Sequence, residues 1–325
     1  MSQARLDSSS SRFSKSPGPF VGHLAPHLSD QPPPNSMTYT TLISVAQLQS
    51  LQASATPAVV FDCSCDLMQP EKGPAQYAES HIAGALYAHL DNNLSAKGDP
   101  AVTGAQSGGR HPLPARESFA QWLGGVGVKN TDQVVVYDRQ GANYCGRLWW
   151  MLKWLGHANV AVLDGGFQAW QAADGAVSRG DEPARAPSTF TVADPLVALR
   201  SSDQVLARLG KPTQHVLDAR GAPRFRGETE PIDPVAGHIP GALNRVFSNN
   251  LGADGFFKPA AVLRAEFEAL LGQRQAEHVV HHCGSGVSAV PNILAMEIAG
   301  LQGSALFAGS WSEWCNRPGF PVAQG

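Results

Sequence analysis

The chain has 325 residues, of which 43% are hydrophobic and 16% charged, values that are ordinary for a soluble globular protein. The formal net charge of −3 gives no electrostatic reason to expect nucleic acid or an anionic membrane as a partner. No apolar run approaches the roughly 20 residues that span a bilayer. The five cysteines are irregularly spaced and imply no disulfide framework, so we expect a cytoplasmic protein.

Composition divides the chain into four segments. Residues 1–37 are rich in Ser and Pro and lack apolar periodicity, which predicts a disordered N-terminal extension. Short β-rich runs then alternate with helical periods over residues 38–175, as in an α/β domain. Asp, Gly, Arg, Glu and Pro dominate residues 176–194, which predicts a linker to a second domain over residues 195–325.

The elements of the first domain follow from its periodicity. Strands are predicted near residues 41–44, 58–62, 133–138 and 160–163, and residues 81–85 are predicted to form a turn into another short strand. Helices are predicted near residues 45–51, 117–123, 146–155 and 166–170. The helix at 146–155 carries Trp149, Trp150 and Trp154, which we interpret as core packing.

The same order of elements recurs after the linker. Phe61-Asp62 corresponds to Leu217-Asp218, His81-Ile-Ala-Gly-Ala to His238-Ile-Pro-Gly-Ala, the strand before Asp138 to the strand before Cys283, and Gly165-Gly166 with Trp170 to Gly309-Ser310 with Trp314. The sequence therefore predicts two copies of one α/β fold, each a mostly parallel central sheet flanked by helices. Because Asp138 stands where the second copy has Cys283, only the second copy should perform covalent chemistry.

Cys283 lies in a loop suited to a reactive thiolate. It follows an apolar strand and precedes a predicted helix at 291–301, with Gly284 and Gly286 allowing close backbone approach. A cup of N–H groups at a helix start favours a thiolate, whereas a buried structural cysteine needs no such glycines. A phosphatase loop would require an arginine at the position of Ala289.

No metal or organic cofactor is expected. Cys63 and Cys65 could form half of a metal site, but no second pair with ligand spacing follows them.

Taken together, these motifs resemble the tandem rhodanese-type sulfurtransferases, in which two rhodanese-like domains follow each other and the second carries the active cysteine. The resemblance covers residues 40–322 and rests on Leu217-Asp218-Ala219-Arg220, Arg224-Phe225-Arg226-Gly227, the two His-Ile-[Ala/Pro]-Gly-Ala turns, the cysteine loop and the closing Gly309–Trp314 motif. It implies an enzyme built from two tandem rhodanese-like domains.

The cysteine loop is informative about the sulfur donor. Family members that use thiosulfate carry an arginine and a lysine directly after the cysteine, where this chain has Gly284 and Ser285. The loop is similar to that of members that use 3-mercaptopyruvate, with Ser288 in place of the usual threonine. By this resemblance Gly284, Gly286, Val287 and Ser288 belong to the substrate-binding loop.

The resemblance also implies how the donor carboxylate is held. Arg224 matches the substrate arginine of the family, whose fork of N–H donors suits a carboxylate. Animal members place a second arginine nine residues further on, where this chain has Asp233. Arg110 of the first domain is a candidate to replace it.

A proton relay completes the implied site, with Ser285, His111 and Asp91 as serine, histidine and aspartate. The implied reaction moves sulfur from 3-mercaptopyruvate to a Cys283 persulfide, releases pyruvate, and passes the sulfur to a thioredoxin-like protein, a small thiol or cyanide. Two alternatives remain open: a thiosulfate:cyanide sulfurtransferase using the same cysteine, and a non-catalytic persulfide carrier.

Overall fold

Two parallel sheets, one in each half of the chain, form the framework of the protein. The structure, a computed structural model, describes residues 38–325 apart from the side chains of residues 101 and 102. The extension predicted to be disordered, residues 1–37, lies outside the described residues.

The first domain contains the predicted elements, with small shifts at their ends. Its strands are β1 (Leu42–Ile43), β2 (Val59–Asp62), β3 (His81–Ile82), β4 (Leu86–Tyr87), β5 (Val134–Tyr137), β6 (Val160–Leu163) and β7 (Val177–Ser178). Its helices are α1 (Val45–Gln52), α2 (Lys72–Glu79), α3 (Pro100–Thr103), α4 (Arg116–Gly125), α5 (Cys145–Trp154) and α6 (Gly166–Ala172).

The second domain repeats this arrangement. Its strands are β8 (Ala198–Leu199), β9 (His215–Asp218), β10 (Leu243–Asn244), β11 (Val279–His282) and β12 (Ala305–Leu306). Its helices are α7 (Ser202–Ala207), α8 (Ala222–Phe225), α9 (Ala260–Leu271), α10 (Val290–Ile298) and α11 (Ser310–Trp314), with short 3₁₀ turns at Phe247–Asn250 and Ala276–His278.

The two sheets share one topology, which confirms the predicted duplication. The strand order is β1-β6-β5-β2-β4 in the first sheet and β8-β12-β11-β9-β10 in the second. All neighbouring strands in both sheets are parallel. The central strands β5 and β11 end immediately before Asp138 and Cys283, at the carboxyl edge where open α/β sheets bind ligands.

A small antiparallel ladder closes the first domain. His81 and Ile82 of β3 pair with Ser178 and Val177 of β7, so the first residues of the predicted linker contact the first domain. The second domain has a single bridge, His238 to Ala323, in the corresponding place.

The interface between the two domains is a continuous apolar core. Helix α5 is buried along its whole length, and Trp149, Trp150 and Trp154 are core residues as predicted. The helix packs against α10 so closely that a Cβ on Gly146 would lie 3.4 Å from Cγ1 of Val290. Among residues 38–325, no helix is long and apolar enough to cross a membrane.

An ion pair between α5 and α10 lies at the edge of this interface. Lys153 of α5 donates from Nζ to Oε2 of Glu297 in α10 at 2.6 Å, and its ammonium lies 4.4 Å from the ring centroid of Trp149. Lys153 is a buried residue, so the Glu297 carboxylate replaces water that the cation has lost.

Removing one partner of this ion pair should lower the free energy of unfolding more than removing both partners. We expect Glu297→Ala to lower the free energy of unfolding by about 1–3 kcal/mol, because the lysine is left without its acceptor. The double variant Lys153→Met with Glu297→Leu should be nearly neutral, since both charges then disappear. Urea unfolding measures this. Glu268→Ala, in the exposed pair with Arg264, is the control and should change little. A Glu297→Ala loss no larger than this control would contradict the prediction.

Candidate active site

Cys283 is held at the end of β11 by the first two residues of α11. Its amide donates to Oγ of Ser310 at 3.1 Å, and its carbonyl accepts from the amide of Trp311 at 3.0 Å. Ser310 is fully buried and adopts a φ of 55°, a left-handed conformation that is uncommon for residues other than glycine. These contacts thus fix the backbone of a cysteine that is itself buried.

The loop after the cysteine bends through a glycine that the structure requires. Gly286 has a φ of 77°, and a Cβ at this position would collide with the carbonyl of Ala308. The bend brings the loop back over the end of the sheet before α10 begins at Val290. Within residues 38–325, none of the amides of residues 284–289 donates a hydrogen bond to another protein atom.

The first domain shows what this loop can bind. Asp138, the counterpart of Cys283, accepts hydrogen bonds at 2.8–2.9 Å from four backbone amides of its own loop, those of Gln140, Ala142, Tyr144 and Cys145. Gly141 bends this loop with a φ of 68°, as Gly286 does in the second domain. Burial raises the pKa of Asp138, and the four donors oppose that shift. In the second domain, the corresponding amides of Ser285, Val287 and Ala289 donate to no protein atom within residues 38–325.

The predicted relay residues lie together across the domain boundary. Nδ1 of His111 is 2.7 Å from Oγ of Ser285, and Nε2 of His111 is 3.4 Å from Oδ1 of Asp91. Lys97 contacts the same Asp91 oxygen at 2.7 Å. The structure therefore brings Ser285, His111 and Asp91 into one chain of polar groups beginning two residues after Cys283.

Burial and charge set the protonation of this chain. Burial lowers the pKa of His111, and the Asp91 carboxylate opposes this effect only in part. The hydrogen bond from His111, together with Lys97, holds the pKa of Asp91 well below its usual value. At neutral pH His111 is uncharged, so an Nε2–H directed at Asp91 leaves Nδ1 to accept the Ser285 proton.

The two predicted substrate arginines meet above Gly284. A Cβ on Gly284 would lie 2.9 Å from Nη2 of Arg110 and 3.6 Å from Nη1 of Arg224. Arg110 belongs to the first domain, and its amide donates to Oγ of Ser312 in α11 of the second domain at 3.1 Å. A side chain at position 284 would therefore displace the guanidinium group of Arg110 and contact that of Arg224.

The remaining predicted loop residues contribute mainly backbone. The side chain of Val287 is buried in the core that both domains share, and Ser288 is half-buried. A cleft of about 460 Å³ beside the relay is lined by residues that include Met68, Asp91, Arg110, His111 and Ile232.

Arg147 is a residue of the site that the sequence reasoning missed. It is fully buried in α5 and donates to the carbonyls of Gly286, Leu94 and His111 at 3.2, 3.1 and 2.9 Å. No carboxylate among residues 38–325 pairs with it. Burial lowers its pKa to about 10, and a negative charge on Cys283 raises it. The sequence feature that could have indicated this role is a charged residue within the otherwise apolar helix start Cys145-Gly146-Arg147-Leu148-Trp149.

Two buried histidines beside the cysteine stay uncharged. Burial lowers the pKa of His281 to about 3 and that of His282 to about 4. His282 lies 3.5 Å from Oδ2 of Asp218, which Arg220 also binds. Among the residues that the structure describes, no group of three His, Cys, Asp or Glu side chains could hold a metal ion.

Comparisons with known proteins agree with this architecture. Residues 44–173 and 201–317 match the rhodanese-like domain family. The chain is 43% identical over 290 residues to a probable 3-mercaptopyruvate sulfurtransferase of Pseudomonas aeruginosa, covering 89% of this chain and 100% of the relative. It is 37% identical over 287 residues to a putative thiosulfate sulfurtransferase of Mycobacterium tuberculosis, covering 87% of this chain and 97% of that one.

Solved structures give the same result. The 3-mercaptopyruvate sulfurtransferase from Leishmania major matches with a TM-score of 0.72 at 31% identity, covering 86% of this chain and 76% of that chain. Each matched family segment contains four of the five strands of one parallel sheet, and the resemblance seen in the sequence is confirmed. The chain therefore belongs to the rhodanese family, as a sulfurtransferase with two rhodanese-like domains in tandem.

Proposed function

We propose that this sulfurtransferase takes sulfur from 3-mercaptopyruvate onto Cys283 and passes it to a thiol. The observation that carries the proposal is the loop of unpaired amides around Cys283, whose counterpart in the first domain binds the carboxylate of Asp138. A persulfide anion on Cys283 would take the place that the Asp138 carboxylate has in the other loop. Fixed N–H donors favour such an anion because they need no reorganisation when the charge forms.

The first half-reaction balances without a redox partner. The Cys283 thiolate attacks the donor sulfur, the carbon–sulfur bond breaks, and its electron pair stays on carbon as the enolate of pyruvate. The proton of the donor thiol ends on this carbon, which gives pyruvate and a Cys283 persulfide anion. One proton therefore has to move from sulfur to carbon beside the cysteine loop.

Ser285, His111 and Asp91 are suited to move that proton. An uncharged His111 can accept through the hydroxyl of Ser285, 2.7 Å away, and can return the proton to the enolate. Asp91 holds the imidazole orientation and stabilises the imidazolium that forms in between.

The arginine pair favours a donor with a carboxylate. Arg224 and Arg110 both face Gly284, next to the cysteine, so a 2-oxo acid bound there would bring its sulfur to Cys283. A thiosulfate donor is the alternative, since two cations also attract a dianion and one relative carries that name. The neutral residues Gly284 and Ser285 after the cysteine favour 3-mercaptopyruvate.

Arg147 provides the positive charge that the buried cysteine requires. A desolvated guanidinium without a carboxylate is costly, and an anion on Cys283 offsets that cost. Because Arg147 also donates to the Gly286 carbonyl, its positive charge is held in a fixed position relative to the cysteine loop.

In the second half-reaction an acceptor thiolate attacks the outer persulfide sulfur and restores the Cys283 thiolate. The cleft beside the relay is open to solvent and suits a small thiol or a loop of a thioredoxin-like protein. All five cysteines are free thiols, which favours a reducing compartment, and we propose the cytoplasm.

Donor preference is the direct test. We expect kcat/KM with 3-mercaptopyruvate to exceed that with thiosulfate by about a hundredfold or more, the order of one extra well-placed interaction of about 3 kcal/mol. Cys283→Ser should abolish both activities, and Cys315→Ser, at a half-exposed thiol, is the matched control that should retain them. A preference for thiosulfate would reverse the donor assignment. If the purified enzyme turned over neither donor, the persulfide carrier would remain as the function.

The pH profile tests the relay. Because the pKa of His111 lies below its ordinary value, kcat/KM should stay constant on acidification until well under about pH 6.5 and then fall as His111 becomes charged. Asp91→Asn removes the carboxylate that partly supports the pKa, so the acid limb should move lower while kcat decreases. His278→Gln, at a surface histidine, should leave the profile unchanged. An acid limb that Asp91→Asn does not move would contradict this role.

The charge of Arg147 can be tested without turnover. Arg147→Met keeps most of the volume, and we expect alkylation of Cys283 by iodoacetamide at neutral pH to slow by about tenfold, because the nearby positive charge is lost. Lys153→Met removes a cation of the same helix that is paired with Glu297, and alkylation should then change little. Equal effects of the two variants would indicate a structural role only.

A further inference from the structure

A buried carboxylate connects the two substrate arginines. Asp233 has a side chain that is 3% exposed, and its Oδ1 pairs with Nη1 of Arg110 from the first domain. Its Oδ2 lies 3.3 Å from Nη2 of Arg224 in the second domain. Glu230 binds the rest of the Arg224 fork, accepting from Nε at 3.1 Å and from Nη2 at 2.7 Å.

The two carboxylates bind some of the arginine nitrogens and leave one terminal nitrogen of each arginine unused. Nη2 of Arg110 and Nη1 of Arg224 are the nitrogens nearest to Gly284 on each side chain. Neither nitrogen donates to a protein acceptor within residues 38–325, whereas the opposite nitrogens bind Asp233 and Glu230. Each arginine therefore has one unused nitrogen near Gly284, the residue after Cys283.

The segment that carries Asp233 is rigid. The amides of Ile232 and Asp233 both donate to Oε1 of Glu230 at 3.1 Å, which closes a tight turn. Prolines at 231 and 234 restrict the backbone on both sides. Asp233 is thus held in position and does not need a substrate to order it.

The charges around this point cancel. Three arginines, Arg110, Arg220 and Arg224, are bound to three carboxylates, Asp218, Glu230 and Asp233. Burial alone would raise the pKa of Glu230, but the Arg224 hydrogen bonds and the two amides hold it below its usual value, so it stays charged. A single carboxylate entering above Gly284 brings one negative charge to this balanced group, and a dianion brings two.

We infer that Asp233 determines donor specificity: it holds Arg110 and Arg224 with one nitrogen each toward the cysteine and offsets one positive charge, so the site favours a monoanionic carboxylate over a dianion. Asp233 acts through the two arginines and is a positioning residue. The inference rests on the proposed function for the identity of the substrate. The effect of the Asp233 charge, however, applies to any anion that binds above Gly284.

Asp233→Asn tests the inference because it keeps the shape and removes the charge. The ratio of kcat/KM for thiosulfate to kcat/KM for 3-mercaptopyruvate should rise by about tenfold or more, the size expected for one unit charge in a partly exposed site. The change should lie mainly in KM for thiosulfate, while kcat with 3-mercaptopyruvate stays within about threefold of wild type. Glu228→Gln, in the exposed pair with Arg226, is the control and should leave the ratio unchanged.

Binding without turnover separates this inference from the proposed function. In a Cys283→Ser background, calorimetry with pyruvate and with thiosulfate should show that Asp233→Asn strengthens thiosulfate binding about tenfold more than pyruvate binding. This result stands even if 3-mercaptopyruvate proves not to be a substrate. Asp233→Ser repeats the test with a smaller side chain, and melting temperatures identify a variant that does not fold.

Two results would overturn the inference. If both anions bind more weakly to the Asn and Ser variants, Asp233 only holds the arginines and does not discriminate by charge. If neither affinity changes relative to Glu228→Gln, the carboxylate has no influence on the substrate position.

Discussion

An anion at the end of a buried parallel strand has to be surrounded by hydrogen-bond donors, because water cannot reach it. Both domains have a loop here that turns at a left-handed glycine, and in the first domain the amides of this loop donate to the first residue after the central strand. In the first domain that residue is Asp138, and the carboxylate fills the ring of donors. In the second it is Cys283, the residue on which the proposed function places the transferred sulfur. The neighbouring turn at Ser310 and the close packing at Gly286 follow from the need to hold this loop in shape.

The domain boundary is where the rest of the site is assembled. Asp91, Arg110, His111 and Arg147 come from the first domain, while the nucleophile and Arg224 come from the second. The apolar contact between α5 and α10 sets their relative position, and Arg147 extends from that contact to the cysteine loop. The first domain therefore contributes to the site although it has no cysteine in this loop, since it supplies the histidine and aspartate of the proposed relay and two of the cations.

The sequence was most informative where chemistry is local. The alternation of strands and helices, the duplication and the cysteine loop could all be predicted, because each depends on residues close together in the chain. The relay of Ser285 and His111 could be predicted only through the family resemblance, since the two residues lie 174 positions apart. Arg147 and Asp233 could not be assigned, because their roles depend on which carbonyls and guanidinium groups the fold brings to them. In the sequence, Asp233 stands out only because animal members of the family have an arginine at this position. In the structure, its carboxylate connects Arg110 and Arg224.

The filled loop of the first domain has a consequence for stoichiometry. Its four amide donors are permanently occupied by a side chain of the same domain, so no external anion can use them. The duplicated fold thus contains two such loops but a cysteine in only one of them, and under the proposed function each chain would carry one labile sulfur at saturation. A titration would then give one persulfide per protein chain, although each chain contains two copies of the fold.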